Sequence, residues 1–126
     1  MIEVNELRIG SLINTPNRNM NPFKVEFIES IGLGKIGGFN NVGNFVYWLV
    51  KDVNPIELNG DWLIQNSFKY TDGEDACDCI YNLNGVNIWE HDNGFCHSYG
   101  YGGYVDSIHK LQSLYNSITG TELIIK

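Results

Sequence analysis

Long apolar runs, cysteine and proline are all scarce in this 126-residue sequence. No run approaches the roughly 20 apolar residues that a membrane-spanning helix needs, and the first residues lack the basic and then apolar pattern of a signal peptide. The three cysteines, an odd number without an export signal, are typical of free thiols in a reducing compartment. The sequence therefore predicts a cytoplasmic protein with no disulfide framework.

Basic residues are absent between Lys69 and Lys110. Seven acidic residues lie in that stretch: Asp72, Glu74, Asp75, Asp78, Glu90, Asp92 and Asp106. The rest of the chain has eight acidic and eight basic residues, so this stretch accounts for the net charge of −7. Because nucleic-acid binding depends on Lys and Arg displacing counterions from phosphates, direct binding of nucleic acid is not expected here. The stretch suits a basic protein partner or a cation, or it is a solvated face that aids solubility.

The first half of the chain has the pattern of short strands. Residues 23–27 alternate between apolar and charged side chains, and residues 45–50 are a dense aromatic and β-branched run. The glycine-rich residues 32–43 between them are predicted to form a turn or loop. Several short strands separated by turns predict a small, curled, barrel-like sheet over about residues 1–58.

The second half predicts a short helix and then a three-stranded antiparallel meander. Asn59 is suited to capping a helix that carries Trp62 and Leu63. Asn84-Gly85 is the favoured pair for a type I′ turn, which predicts a hairpin. Residues 92–94 (D-N-G) are predicted to form the second turn of the meander.

A change of period near the end of the chain predicts a helix over about residues 104–119. Five apolar residues advance by four, three, four and three positions, and so share one helical face: Tyr104, Ile108, Leu111, Tyr115 and Ile118. Gly120 follows where a left-handed glycine ends a helix. The predicted fold class is therefore α+β, in a single domain over residues 1–126, with this helix packed on the sheet.

Three segments resemble a family of small, largely uncharacterised bacterial and phage proteins: residues 5–10 (N-E-L-R-I-G), residues 55–63 (P-I-E-L and then W-L) and residues 108–123. Members typically open with N-E-L-R-x-G-N and end with V-H-x-L-Q-x-L-Y-x-x-L-T-G-x-E-L. This chain has Ser11, Ile108 and Ile118 where the family has asparagine, valine and leucine. The resemblance implies an SH3-like barrel followed by a meander and a C-terminal helix. It also implies a phage or prophage origin, and phage proteins of this size are often binders that block a host component.

Three tyrosines interleaved with glycines precede the predicted C-terminal helix: Tyr99, Tyr101 and Tyr104. Tyrosine offers a flat stacking face and a hydroxyl, while glycine lets a ligand approach the main chain closely. A helix N-terminus after them favours a phosphate. The segment is predicted to stack a base or to contact a protein partner; alternatively, its tyrosines cover the meander and fix the entry of the helix.

Residues 32–37 (G-L-G-K-I-G) match the dinucleotide fingerprint G-x-G-x-x-G, but that fingerprint requires a helix to follow. The glycine-rich residues 38–43 cannot form such a helix. What remains is a predicted loop whose accessible main-chain amides, at Gly34 and beside Lys35, could cradle an anion. A flexible loop without a ligand is the alternative.

Cysteine and histidine residues on the predicted meander raise a metal hypothesis. Pairing across the first turn places Cys79 opposite Glu90, and the second turn then places Cys96 or His97 beside Glu90. On that register the two cysteines lie about 9–10 Å apart, which is too far for a disulfide and wide for one zinc. The sequence therefore predicts no metal site and no cofactor.

The leading hypothesis is a non-catalytic binding protein that sequesters a small nucleotide-like signalling ligand in the host cytoplasm, as a counter-defence protein of phage origin. Seven residues are predicted to bind this ligand: Tyr99, Tyr101, Tyr104 and Trp48 by stacking, Arg8 and Lys35 on phosphate, and Gly34. One alternative is an interaction protein that blocks a basic host protein through Asp72, Glu74, Asp75 and Asp78. Another is a small metal-dependent hydrolase built on His91 and His97. Neither a membrane nor direct nucleic-acid binding is expected, and a homo-oligomer is compatible with the sequence.

Overall fold

The computed structural model describes residues 2–32, 34–72, 79–91, 94–97 and 105–126. These residues form antiparallel sheets and helices, which confirms the α+β class. In this part of the chain the strands belong to three separate sheets and do not close into a barrel. No helix within it has the length and apolar character needed to cross a membrane. The chain divides into two compact units, Met1–Ile56 and Glu57–Lys126; the single domain stays a prediction.

The first unit has two small sheets. Its strands are β1 (Leu12–Ile13), β2 (Phe23–Lys24), β3 (Phe27–Glu29), β4 (Lys35–Phe39) and β5 (Phe45–Leu49), with 3-10 turns at Val4–Glu6, Arg18–Met20 and Val50–Asp52. Strand β1 pairs with β2, and the second sheet has the order β3-β4-β5. One cluster of buried side chains forms the core of the unit: Ile2, Leu7, Ile13, Phe23, Val25, Ile36, Val50 and Val53.

The single strand expected from the alternation of residues 23–27 is wrong. Phe23 is buried in β2, whereas Phe27 is exposed in β3, which belongs to the other sheet. The main chain changes partner between them, because the Val25 amide donates to the Ser11 carbonyl while the amide of the next residue donates to the Gly37 carbonyl. The chain therefore passes from one sheet to the other within this short segment.

The glycine-rich segment expected to be a loop contains the central strand, β4. Gly37 and Gly38 lie inside this strand because neighbouring groups occupy the space of a Cβ atom. A Cβ at Gly38 would clash with the Lys24 carbonyl oxygen and lie 2.9 Å from Phe23 Cζ. The glycines therefore serve close packing, and Lys35 lies in a strand rather than in the predicted loop.

Strand β5 lies at the edge of its sheet in the described part of the chain. Just beyond the two ends of the β4–β5 pairing, the Val50 amide donates to the Gly34 carbonyl (3.1 Å) and the Asn40 amide donates to the Asn44 carbonyl (2.9 Å). Because bonded and non-bonded pairs alternate along an antiparallel ladder, the odd-numbered residues of β5 direct their N–H and C=O groups away from β4.

The second unit contains α1 (Gly60–Gln65), β6 (Lys69–Asp72), β7 (Cys79–Leu83), β8 (Val86–His91), β9 (Gly94–His97) and α2 (Ile108–Thr119). The meander has four strands in the order β6-β7-β8-β9, not the three expected, because the segment after α1 pairs with β7. The predicted cap of α1 is confirmed, since Asn59 Oδ1 accepts a hydrogen bond from the Trp62 amide at 2.8 Å.

The register of the meander agrees with the sequence at its first turn and differs at its second. Cys79 pairs with Glu90, as the Asn84-Gly85 turn predicts. Glu90 pairs on its other side with Phe95, so the expectation of Cys96 or His97 at that position is wrong. The cause is a tight connection in which His91 pairs with Gly94. Cys79 and Cys96 therefore do not share a row of the sheet.

Helix α2 begins later than the sequence predicts and ends where it predicts. Ser107 is its N-cap residue in extended conformation and forms a β-bridge with Glu57, which delays the start of the helix to Ile108. Gly120 ends the helix in the left-handed region (φ 75°). The helix lies against β8, and Asn84 Nδ2 donates to Tyr115 Oη at 2.7 Å, which joins the hairpin turn to the helix.

The apolar face expected for α2 is only partly buried. Ile108, Leu111 and Tyr115 are buried, whereas Ile118, the last member of the same face, is 44% exposed. Ile118 lies in the last turn of the helix, two residues before the terminating Gly120. Tyr104, the first member of the expected face, lies outside the described residues.

Candidate functional site

The outward side of the β3-β4-β5 sheet carries a cluster of exposed apolar side chains. Successive strand residues point to opposite sides of a sheet; on β5, Val46 and Trp48 pack against the core while the residues between and beside them are exposed. We call the exposed side the aromatic face, formed by Phe27, Phe39, Phe45, Tyr47 and Leu49.

The rings of the aromatic face contact each other edge to face. The Phe27 centroid lies 5.7 Å from Tyr47 and 6.4 Å from Phe45, with interplanar angles of 87° and 80°. The Phe39 and Phe45 centroids are 5.0 Å apart at 86°. Pairs of this geometry contribute about 0.5–1.5 kcal/mol each beyond area burial. The rings therefore hold each other in place although they face solvent.

Glycine at position 37 makes this arrangement possible. Gly37 lies in the centre of the sheet, paired with Phe27 on one side and Tyr47 on the other. A Cβ atom there would lie 2.6 Å from Phe45 Cε1 and 3.0 Å from Tyr47 Cδ1. Two rings thus lie low over the strand in the space that a side chain would fill.

The exposed area of the face is large enough to bind a ligand. Phe39 and Tyr47 are its most exposed rings, at 60% and 55%. With about 200 Å² for each free aromatic residue, its four rings together expose roughly 400 Å². Contiguous apolar patches of about 300–600 Å² are frequently functional.

The three strands that form the face contain one basic residue, Lys35. Lys35 Nζ is 5.2 Å from the centroid of the Tyr47 ring, within the range of a cation–π contact. The residue opposite Lys35 on β3 is Glu29, yet no ion pair of Lys35 is found among the described residues. Nearby on β2, Lys24 is paired with Glu26 at 3.8 Å. The ammonium of Lys35 is therefore directed to the rings.

Trp48, a predicted stacking residue, lies on the side of the sheet opposite to Lys35. Trp48 belongs to the opposite side of β5, where it packs against the core of the first unit. Its Nε1 atom is buried and has no hydrogen-bond partner among the described residues. The neighbouring Tyr47, which the sequence analysis did not select, is the exposed aromatic residue beside Lys35.

Gly34 and Arg8, two other predicted ligand contacts, make main-chain hydrogen bonds of their own. Gly34 is buried in the left-handed region (φ 81°), and its amide donates to the Ile31 carbonyl at 3.4 Å. The Arg8 amide donates to Ser11 Oγ at 3.0 Å in the turn before β1. The amide of Gly34 is thus used inside the protein rather than presented to an anion.

Several predicted residues lie outside the described part of the chain: Tyr99, Tyr101, Tyr104, Glu74, Asp75 and Asp78. Their roles stay predictions. Asp72 is the last residue of β6 and pairs with Cys79. Within the described residues, no group of three or more His, Cys, Asp or Glu side chains could hold a metal ion.

Sequence reasoning missed the aromatic face because both sides of β5 are apolar. Alternate residues of a strand point to opposite faces, but all five residues of β5 (Phe45–Leu49) are apolar. The sequence therefore does not show which face is buried and which is exposed. Only one side can meet the core of a unit this small. Phe27 lies in the row of Tyr47, and Phe39 lies in the row of Phe45. These neighbours become evident only when the register of the sheet is known.

The aromatic face can stack on a planar ligand, donate a hydrogen bond from the Tyr47 hydroxyl and neutralise an anion with Lys35. These capabilities are those of a recognition surface. The groups that supply them come from three adjacent strands held in register. No protein-family model, curated protein or solved structure matches this chain.

Proposed function

We propose that this chain is a non-catalytic binding protein that captures a small nucleotide-like ligand on the aromatic face. The observation that carries the proposal is the position of Lys35 Nζ over the Tyr47 ring, inside a cluster of exposed rings. Stacking of a base on an aromatic side chain contributes about 1–3 kcal/mol. A lysine ammonium beside the rings can meet the phosphate.

The surface is organised before a ligand arrives, which favours binding. Phe27 contacts both Phe45 and Tyr47, and Phe39 contacts Phe45. Since ordering flexible side chains costs about 0.5–1.5 kcal/mol each on binding, rings that already restrain each other reduce that cost. The face therefore suits a protein whose task is capture rather than chemistry.

The biological role in the proposal is sequestration of a signalling nucleotide in a bacterial host by a phage or prophage protein. Its support is the resemblance of the chain's two ends and middle to a bacterial and phage family. The finer topology, an SH3-like arrangement of β1–β5, belongs to the same proposal. It is supported by five short antiparallel strands that share one buried cluster.

Replacing Tyr47 with alanine tests where the ligand binds. We expect Tyr47→Ala to weaken nucleotide binding about tenfold or more, because it removes a stacking surface, and Lys35→Met to weaken it about threefold. Isothermal titration calorimetry with nucleotides of each base, at low salt, measures both effects. Tyr70→Ala is the matched control, since Tyr70 is 45% exposed in the second unit and contacts Tyr81.

A second pair of substitutions separates the aromatic face from the tyrosine–glycine segment. If Tyr99→Ala combined with Tyr101→Ala abolishes binding while Tyr47→Ala leaves it intact, the ligand belongs to that segment and the aromatic face is the wrong site. Mass spectrometry of small molecules released from freshly purified, heat-denatured protein identifies a bound nucleotide directly. A stoichiometric nucleotide would support capture.

The uneven charge of the chain supports a second candidate function, an acidic surface that blocks a basic host protein. Residues 57–126 contain ten acidic and three basic residues, whereas residues 1–56 contain five of each. Complementary charge accelerates association. This acceleration weakens as salt is added, because the Debye length falls from about 10 Å at 0.1 M to about 3 Å at 1 M. The second unit is therefore the part of the chain suited to a basic partner.

Neutralising the acidic segment tests this candidate. We expect the variant with Asn or Gln at Asp72, Glu74, Asp75 and Asp78 to lose capture of basic proteins from a host lysate, with a loss of about tenfold or more at low salt. The original chain should show the same loss near 1 M salt. The control variant Glu3→Gln combined with Glu6→Gln removes two negative charges from the first unit and should retain capture. Partner capture that responds to neither salt nor these substitutions excludes the candidate.

A further inference from the structure

We infer that the ligand of the aromatic face is a nucleotide with a single negative charge, as in a phosphodiester, and that the face disfavours polyphosphates. This inference rests on the proposed function and adds to it the charge class of the ligand. It comes from the balance of charges around Lys35 rather than from the rings.

Glu29 and Lys35 are paired residues on neighbouring strands, and both belong to the row next to Tyr47. Directly opposed residues have Cβ atoms about 4.5–5.5 Å apart. The ammonium of Lys35 nevertheless lies over the Tyr47 ring, 5.2 Å from its centroid. A phosphate that meets this ammonium is therefore close to the rings, in a row of the sheet that also carries Glu29.

The three strands of the face contain no basic residue other than Lys35 to balance further negative charge. Lys24 is already paired with Glu26 at 3.8 Å, and the amide of Gly34 donates to the Ile31 carbonyl. The first unit has equal numbers of acidic and basic residues, and the whole chain carries −7. Polyphosphates are held in proteins by several cations or by arrays of main-chain amides. The face supplies one ammonium beside one carboxylate.

Attraction by Lys35 and repulsion by Glu29 together set an optimum for the negative charge of the ligand. A neutral nucleoside gains the stacking contact but leaves Lys35 without an anion, so it binds more weakly than a ligand with one charge. Each further charge adds repulsion from Glu29 without a new cation to offset it. The affinity is therefore expected to rise with the first negative charge and to fall with the next ones.

A series of ligands with one base and increasing charge tests the inference. The series comprises the nucleoside, its 3′,5′-cyclic monophosphate, its 5′-monophosphate and its 5′-triphosphate, with no charge, one, about two and about four negative charges at neutral pH. It is run for all four bases on the full chain at low salt. We expect the cyclic monophosphate to bind about three- to tenfold more tightly than the nucleoside, and at least about tenfold more tightly than the triphosphate.

Two variants test whether Lys35 and Glu29 cause the dependence of affinity on ligand charge. Lys35→Met should abolish the advantage of the cyclic monophosphate over the nucleoside. Glu29→Gln should raise triphosphate affinity about threefold and leave nucleoside affinity unchanged. Glu57→Gln removes the same charge from an exposed position in the second unit and serves as the matched control. A response to Glu57→Gln as large as that to Glu29→Gln would overturn the assignment to Glu29.

The outcomes separate this inference from the proposed function. A triphosphate that binds as tightly as the cyclic monophosphate overturns the inference and leaves nucleotide capture standing. If no member of the series binds for any base, both the inference and nucleotide capture are overturned. An affinity maximum at one charge that disappears in Lys35→Met supports both.

Discussion

Gly38→Ala is expected to lower the free energy of unfolding by about 2–3 kcal/mol, the upper part of the range of about 1–3 kcal/mol for overpacked cores. The new Cβ atom would clash with the Lys24 carbonyl oxygen and lie 2.9 Å from Phe23 Cζ. A main-chain carbonyl cannot rotate aside, and Phe23 is buried in the core of the first unit. Strand β2 must therefore shift as a whole. Urea denaturation followed by circular dichroism measures the change.

The adjacent Gly37→Ala is the matched control, because both glycines lie in the same extended strand. The three atoms nearest to its Cβ would be ring atoms of Phe45 and Tyr47, which can shift toward solvent more easily than a main-chain carbonyl can move. We expect a cost below about 1 kcal/mol, since replacing glycine with alanine also restricts the unfolded chain by about 0.4–1 kcal/mol. The near-ultraviolet spectrum should change. Equal losses in the two variants would show that the close approach to β2 is not the cause.

Leu111→Ala is expected to destabilise the second unit by about 2–5 kcal/mol, the range for removing a buried leucine side chain. Leu111 is 0% exposed in the middle of α2, which lies against β8. The loss combines the transfer of apolar atoms to water with the cavity that remains. Urea denaturation monitored by fluorescence measures it, because Trp89 lies on β8.

Ile118→Ala provides the control for Leu111→Ala within the same helix. Both residues belong to the apolar face that the sequence predicts, but Ile118 is 44% exposed. Its replacement should cost less than about 1 kcal/mol, because half-exposed side chains lose little transfer free energy and leave no closed cavity. Similar losses at the two positions would contradict the placement of Ile118 at the exposed end of the face.

Features of the fold that depend on neighbouring residues alone could be predicted from the sequence. The Asn84-Gly85 dipeptide determines its own turn, and with it the pairing of Cys79 with Glu90. Gly120 ends α2 in the left-handed conformation for the same kind of reason. The second turn was not predictable in detail, because residues 92–94 are compatible with more than one loop length and each length gives a different register.

Features that depend on distant contacts could not be predicted. Glycine is common both in turns and where two chain segments approach closely, so the sequence alone did not distinguish a loop from strand β4. The close neighbours of Gly38 come from β2, far away in sequence. On β5, Tyr47 and Trp48 are equally suited to a core or to a surface, and only the position of Ile36 and its cluster decides which one faces inward.

The open edge of β5 has a consequence for the behaviour of the protein in solution. Phe45–Leu49 contains neither a charge nor a proline, the usual protections of an edge strand against pairing with another chain. Mutual repulsion from a net charge of −7 is expected to oppose such pairing. Acidification toward about pH 4–5 weakens this repulsion, because carboxylates take up protons there. Concentrated salt weakens it by screening the charges. We therefore expect concentrated samples to stay dispersed best in neutral buffers of low ionic strength.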